Sequence, residues 1–167
     1  MTATDYSGLK RHEHPLDIVE RLASIHDRTF DRPGDDEITL TVQGNWGLYH
    51  VAFNWLESME ALHIACAFDL KVLDRRRSEI NELVSRINEQ LWVGHFDLWT
   101  DDNSVMFRHS LILSGGADPT GQQCEALLNI AVEACNRHYQ AFQFVLWAGK
   151  SPAEALAASM FETAGEA

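Results

Sequence analysis

From Ile38 to Ala67 the chain alternates apolar and polar residues with a period of two, broken only at Gly44-Asn45 and near Ser58-Met59. Successive residues of a strand point to opposite faces, so this pattern calls for an antiparallel sheet with one buried face. Gly44-Asn45 is read as a tight hairpin turn, with Val42 opposite Gly47, Leu40 opposite Tyr49 and Ile38 opposite Val51. The second turn sets Trp55 opposite Leu62, Phe53 opposite Ile64, Val51 opposite Cys66 and Asn54 opposite His63. Both turns place Ile38, Leu40, Tyr49, Val51, Phe53, Trp55, Leu62 and Ile64 on one face. A slip of one residue would invert that, so their agreement identifies the core face.

The segments around this meander have helical period. Pro15 suits a first helical turn, and Ile18, Val19, Leu22 and Ile25 follow at helical spacing up to the turn formers Asp31–Asp36. Ile80, Leu83, Val84, Ile87 and Leu91 form a second stripe, with Ser78 as N-cap and Gly94 as terminator. His95–Trp99 and Val105–Leu113 read as a second hairpin around Asp102-Asn103, with Leu98 opposite Phe107, Phe96 opposite His109 and Asp97 opposite Arg108. Thr120 with Gln123 is a capping box opening a long helix that runs to Gly149. Ser151-Pro152-Ala153-Glu154 starts a short final helix. The expected order is α-β-β-β-α-β-β-α(-α). This is a two-layer α+β sandwich, an antiparallel sheet with helices on one face, in a single domain spanning 1–167. Residues up to about 12 and from about 163 onward are expected to be loose.

Charge and cysteine content narrow the function. The formal net charge is −12, which repels nucleic-acid phosphates and anionic lipid and suits basic partners. No apolar run approaches the ~20 residues that cross a bilayer. The N-terminus has no apolar core of a signal peptide. Cys66, Cys124 and Cys135 are odd in number and sit among apolar residues, which fits buried thiols in a reducing compartment, without disulfide or metal.

The sequence holds no Gly-rich phosphate loop, Gly-x-Ser-x-Gly elbow or His-Glu-x-x-His helix. Cys66 and His63 are an odd number of residues apart on one strand and so face opposite ways, which argues against a cysteine hydrolase. His138 and Cys135 share the apolar stripe of the long helix, and His109 falls on the core face; all three are read as core residues. His12 and His14 lie in a polar N-terminal arm. Arg75-Arg76-Arg77 is the one basic run, a solvated surface or a docking point for an acidic segment.

The second face of the sheet is the candidate functional surface. It carries Trp46, Leu48, His50, Ala52, Asn54, Leu56, His63 and Ala65, extended by Asp97, Trp99 and Arg108 from the second hairpin. Charges are few and alanines occupy its centre, so another backbone can approach closely. Two readings stand side by side: an interface for a partner, or a surface covered by the C-terminal helix or the N-terminal arm.

Four strings sharpen this reading: Trp46–Trp55, Asn88–Asp97, Phe107–Leu111 and Ala141–Trp147. From about Asp17 onward the chain resembles the YbjN-type family, described as putative bacterial sensory transduction regulators and similar in fold to type III secretion chaperones. The resemblance implies a bacterial cytoplasmic protein without catalytic residues or cofactor that binds a protein partner and forms a homodimer. The acidic charge and the lack of a long apolar run argue against a nucleic-acid or membrane partner. The alternative function is a small-molecule sensor with a pocket near His50, Asn54 and His63 or near Asp97 and Arg108; an enzyme of unrecognised type ranks behind both.

Overall fold

The computed structural model describes residues 10–165. Ten elements form two layers: α1 (Pro15–Ile25), β1 (Thr29–Gly34), β2 (Glu37–Gln43), β3 (Leu48–Leu56), β4 (Ala61–Lys71), α2 (Arg77–Asn88), β5 (His95–Trp99), β6 (Ser104–Ile112), α3 (Gly121–Leu146) and α4 (Pro152–Gly165). All strand pairs are antiparallel, in the order β1-β2-β3-β4-β6-β5. The expected α+β sandwich is what the chain forms. α1, α2 and α3 pack on the core face of the sheet, and α4 packs on α2 and α3 within the helix layer.

The β3–β4 ladder has the register expected, with Trp55↔Leu62, Phe53↔Ile64 and Val51↔Cys66. The β2–β3 ladder is displaced by two residues: Val42 meets Tyr49, Leu40 meets Val51 and Ile38 meets Phe53. The cause is a four-residue loop, Gly44–Gly47, closed by a 2.8 Å hydrogen bond from Gly44 N to Gly47 O. Gly47 lies at φ +146°, and a Cβ on Gly44 would fall 2.1 Å from Cε2 of Tyr49, so both glycines are required there. The β5–β6 hairpin is also displaced by two residues, in the opposite direction. Phe96 meets Phe107, Leu98 meets Val105 and Asp97 meets Met106, around a loop in which Asn103 takes φ 55°. A shift of two preserves the face, so the core composition survives both corrections.

β1 was not expected. Its sequence, Thr-Phe-Asp-Arg-Pro-Gly, reads as a loop because only Phe30 packs against the core. It is an edge strand blunted by proline and charge, and Arg32 Nη1 binds Asp17 Oδ1 of α1 at 2.7 Å. Side chains cap the N-termini of three helices. His14 Nδ1 caps α1 by accepting from Leu16 N at 3.1 Å. The Thr120–Gln123 capping box is present as expected, and so is the Ser151 cap on Glu154 N, at 3.3 Å. α2, by contrast, grows out of a 3-10 turn at Asp74–Arg76, so Ser78 is not its cap. Ile25 is 65% exposed and falls outside the α1 stripe.

Leu62, Ile64, Phe96, Phe107 and Phe142 are fully buried at the centre of one core cluster. Cys66 and Cys135 meet inside it with Sγ atoms 3.5 Å apart, both as free thiols. Burial pushes the Cys124 thiol up to about 11 and raises Cys135 well above its ordinary value, so neither serves as a nucleophile near neutral pH. Arg11 and His12, read as part of a loose arm, are tied down: Arg11 binds Glu60 at 3.0 Å and lies over Trp55, and His12 binds Asp118 at 2.7 Å. The remainder of that arm, residues 1–9, and the end of the tail, 166–167, lie outside the described residues.

Candidate partner-binding face

Strand alternation sends Leu48, His50, Ala52, Asn54 and Leu56 of β3 and His63 and Ala65 of β4 to the face opposite the helices, as expected. Asp97 and Trp99 of β5 and Arg108 of β6 continue that face. Among the described residues no helix covers it, because α4 sits in the other layer. The alternative that the C-terminal helix folds over this face is therefore excluded for the described part of α4.

Trp46 is the exception. The four-residue loop carries it to the edge, where its ring stacks on Tyr139 of α3 at 6.0 Å and Nε1 donates to Asn136 O at 2.9 Å. Asn136 also accepts through Oδ1 from Asn45 N at 2.8 Å and Tyr49 Oη at 2.7 Å. One side chain on α3 thus clamps the hairpin loop. Sequence reading missed it, because a lone asparagine on a long helix looks like ordinary solvated surface.

The centre of the face is shallow and its ends are bulky. Ala52 lies opposite Ala65, His50 opposite Ala67, and Ala65 opposite Arg108 on the other side. Leu48 (55% exposed) and Leu56 (40%) flank this trough along β3, and Trp99 (44%) and Ile112 (58%) flank it across the sheet. Large apolar side chains exposed around a floor of small residues offer contact area to another protein at little desolvation cost.

A polar chain crosses three strands beside the trough. His95 Nε2 lies 3.1 Å from Asp97 Oδ2; Arg108 Nη1 donates to the same oxygen at 3.0 Å, and Arg108 Nε donates to His63 Nε2 at 3.1 Å. The guanidinium also lies 5.7 Å from the Trp99 ring centre. Asp97 and Arg108 are diagonal neighbours, since Arg108 faces His95 and Asp97 faces Met106, which corrects the directly opposite placement read from sequence. The Asp97–Arg108 pair is partly exposed and contributes no more than ~1 kcal/mol to folding. Its effect is to fix the guanidinium. As an acceptor, His63 Nε2 carries no proton, and burial together with the adjacent Arg108 charge pushes the His63 pKa below its ordinary value. Asn54, His63, Trp99 and Arg108, with Gly34–Glu37, line an open cavity of about 640 Å³.

Other candidates are accounted for within the fold. Cys66 points into the core and His63 to the outer face, so they form no dyad. His109 is on the core face, half-buried and opposite Ile64, with its pKa lowered by burial and then by His95. His138 is buried with its ring edge-on to Phe96 at 5.6 Å. In the arginine run, Arg76 pairs with Glu79 and Arg77 with Asp74, each at 3.4 Å, and Arg77 also binds Asn103. Those two arginines brace the start of α2 rather than forming a free docking point. Among the described residues no group of three or more His, Cys, Asp or Glu side chains could hold a metal ion, and no helix is long and apolar enough to cross a membrane.

A crystal structure of YbjN from E. coli, titled a putative transcription regulator, shares the fold at a TM-score of 0.54 and 13% identity, over 72% of this chain and 85% of that one. The ExsC-ExsE complex superposes at a TM-score of 0.45 and 18% identity, over 78% and 94%. No curated protein matches. The model of the YbjN family, described as "Putative bacterial sensory transduction regulator", matches residues 15–144, and the chain belongs to that family.

Proposed function

We propose that this protein is a non-enzymatic, chaperone-like or regulatory binding module of the bacterial cytoplasm, and that its outer sheet face holds a segment of another protein and joins two copies of the chain. The observation that carries this reading is the alanine-floored trough between exposed Leu48, Leu56, Trp99 and Ile112, left open by every described helix. Membership of a regulator family supports it, and the net charge of −12 favours a partner with basic residues. A small-molecule sensor is the second reading, favoured by the cavity beside His63 and Arg108. The protein-partner reading stands ahead of it because Arg108 already spends two of its donors on Asp97 and His63.

Ala65→Arg is the test. The new guanidinium stands at the centre of the trough, where any bound chain must strip its water. The expected result is an unchanged melting temperature, loss of the dimer by light scattering, and loss of the protein captured by wild type from the native bacterial lysate. Unfolding would make this face core. Unchanged association and capture would make it plain surface, and either outcome refutes the proposal.

A further inference from the structure

The β3–β4 ladder stops at His50↔Ala67, although β3 begins at Leu48 and β4 runs on to Lys71. β4 also shifts register against β6 between Ala67 and Lys71. The strands part at this end of the sheet, and a cleft of about 640 Å³ opens between them. The cleft is lined by Trp46, Tyr49, Phe68 and Tyr139 together with His50 and Asp69; of the four rings only that of Trp46 is substantially exposed, while those of Tyr49, Phe68 and Tyr139 are buried behind it.

The rings are held in place before any ligand arrives. Trp46 is fixed by stacking on Tyr139 and by its bond to Asn136, and Tyr139 meets Phe68 edge-on at 5.1 Å. Aromatic faces carry negative potential and attract cations, the more so where water is partly excluded. Three other rings of this protein lie under its own cations: Arg11 lies over Trp55, Arg108 over Trp99 and Lys150 over Phe144. Among the described residues no such cation lies over Trp46, and Asp69 makes no ion pair with a described residue. A carboxylate in the same cleft as the exposed Trp46 ring, on a chain of charge −12, repels anions and draws cations.

We propose that this cleft takes the cationic side chain, arginine or lysine, of the protein segment held on the outer face. The proposal rests on the partner-binding reading above. Continuity supports it, since Leu48, His50 and Ala67 belong to both the face and the cleft. A chain lying along β3 can therefore place one basic residue at the parted strands while its neighbours cover the alanine trough.

The test uses the whole protein and N-acetyl-arginine amide, with N-acetyl-citrulline amide as the uncharged isostere. The readout is the NMR signal of the Trp46 indole N–H, assigned from its disappearance in Trp46→Leu. Arginine amide is expected to shift that signal saturably, and citrulline amide to bind about five-fold more weakly or worse. Asp69→Asn should weaken arginine binding and leave citrulline unaffected. Equal binding of the two compounds, no saturable shift at Trp46, or indifference to Asp69→Asn each overturns the proposal. Leu56→Arg, at the far end of β3, separates it from the reading on which it rests. That variant should lose the protein partner yet keep the arginine response. If wild type binds arginine amide but captures no partner, the partner-binding role fails while the cation cleft stands.

Discussion

Replacing Phe96 by alanine is expected to lower the unfolding free energy by ~3–5 kcal/mol. Phe96 is fully buried and is the hub of the aromatic core, with ring centres 5.5 Å from Phe107, 5.6 Å from Phe142 and 6.4 Å from Phe68. These partners come from β6, α3 and β4, so no single element can close the void. Truncation loses the transfer free energy of the ring and leaves a cavity whose walls keep too few contacts. Urea unfolding followed by circular dichroism measures the change. Trp92→Ala is the control, because that side chain is fully solvent-exposed and its removal should move stability by less than ~0.5 kcal/mol. A loss at Phe96 no larger than at Trp92 would mean that β5 is not packed as described.

The second large effect is a loss of stability on mild acidification, centred on His138. Its side chain is 5% exposed, and burial, with a smaller contribution from Arg137, pushes its pKa down to about 4. The unfolded chain accepts a proton near the ordinary histidine value of ~6.5, whereas the folded chain refuses it until about pH 4. Stability is therefore full above ~6.5, falls as the pH drops below that, and levels off near 4. The total for this group is about 3 kcal/mol. His63 and His109 are displaced in the same direction and add to the slope. Glu60, Glu125 and Asp118 are held below the usual carboxylate range by their hydrogen bonds, so their contributions disappear only at lower pH. Urea midpoints measured from pH 7.5 to 4 should show the decline, and His138→Leu should remove most of it. A His138→Leu profile parallel to wild type would assign the decline to other groups.

The core face was legible because alternation depends only on parity. Ile38, Leu40, Tyr49, Val51, Phe53, Trp55, Leu62, Ile64 and Cys66 all project inward, even though two of three hairpin registers differ from expectation by two residues. Loop length was not legible. Gly44-Asn45 and Asp102-Asn103 each fit a two-residue turn locally, and nothing in those local strings distinguishes that turn from the four-residue loops that form. Trp46 followed from the same error: counted as a strand residue it faces outward, whereas the loop delivers it to α3. β1 escaped because an edge strand needs little apolar content and carries residues that discourage further pairing. In the candidate face, the β3 and β4 members were fixed by alternation. The Arg108–His63 bond depends on β6 lying beside β4, a long-range pairing that no local pattern encodes.

That strand order also divides the chain by the distance over which its contacts must be gathered. β1 through β4 form a meander in which each strand pairs with the next, so each pairing closes only a short loop. The β4–β6 pairing joins Ala61 to Ile112 across a segment that contains α2 and β5. Loop-closure entropy grows with the length enclosed, and non-local pairings are the ones that slow folding. The β4–β6 seam, which joins the alanine trough to Arg108, thus carries most of the strand pairing's contact order. The outer face of the sheet is complete only once the most non-local of its pairings has closed.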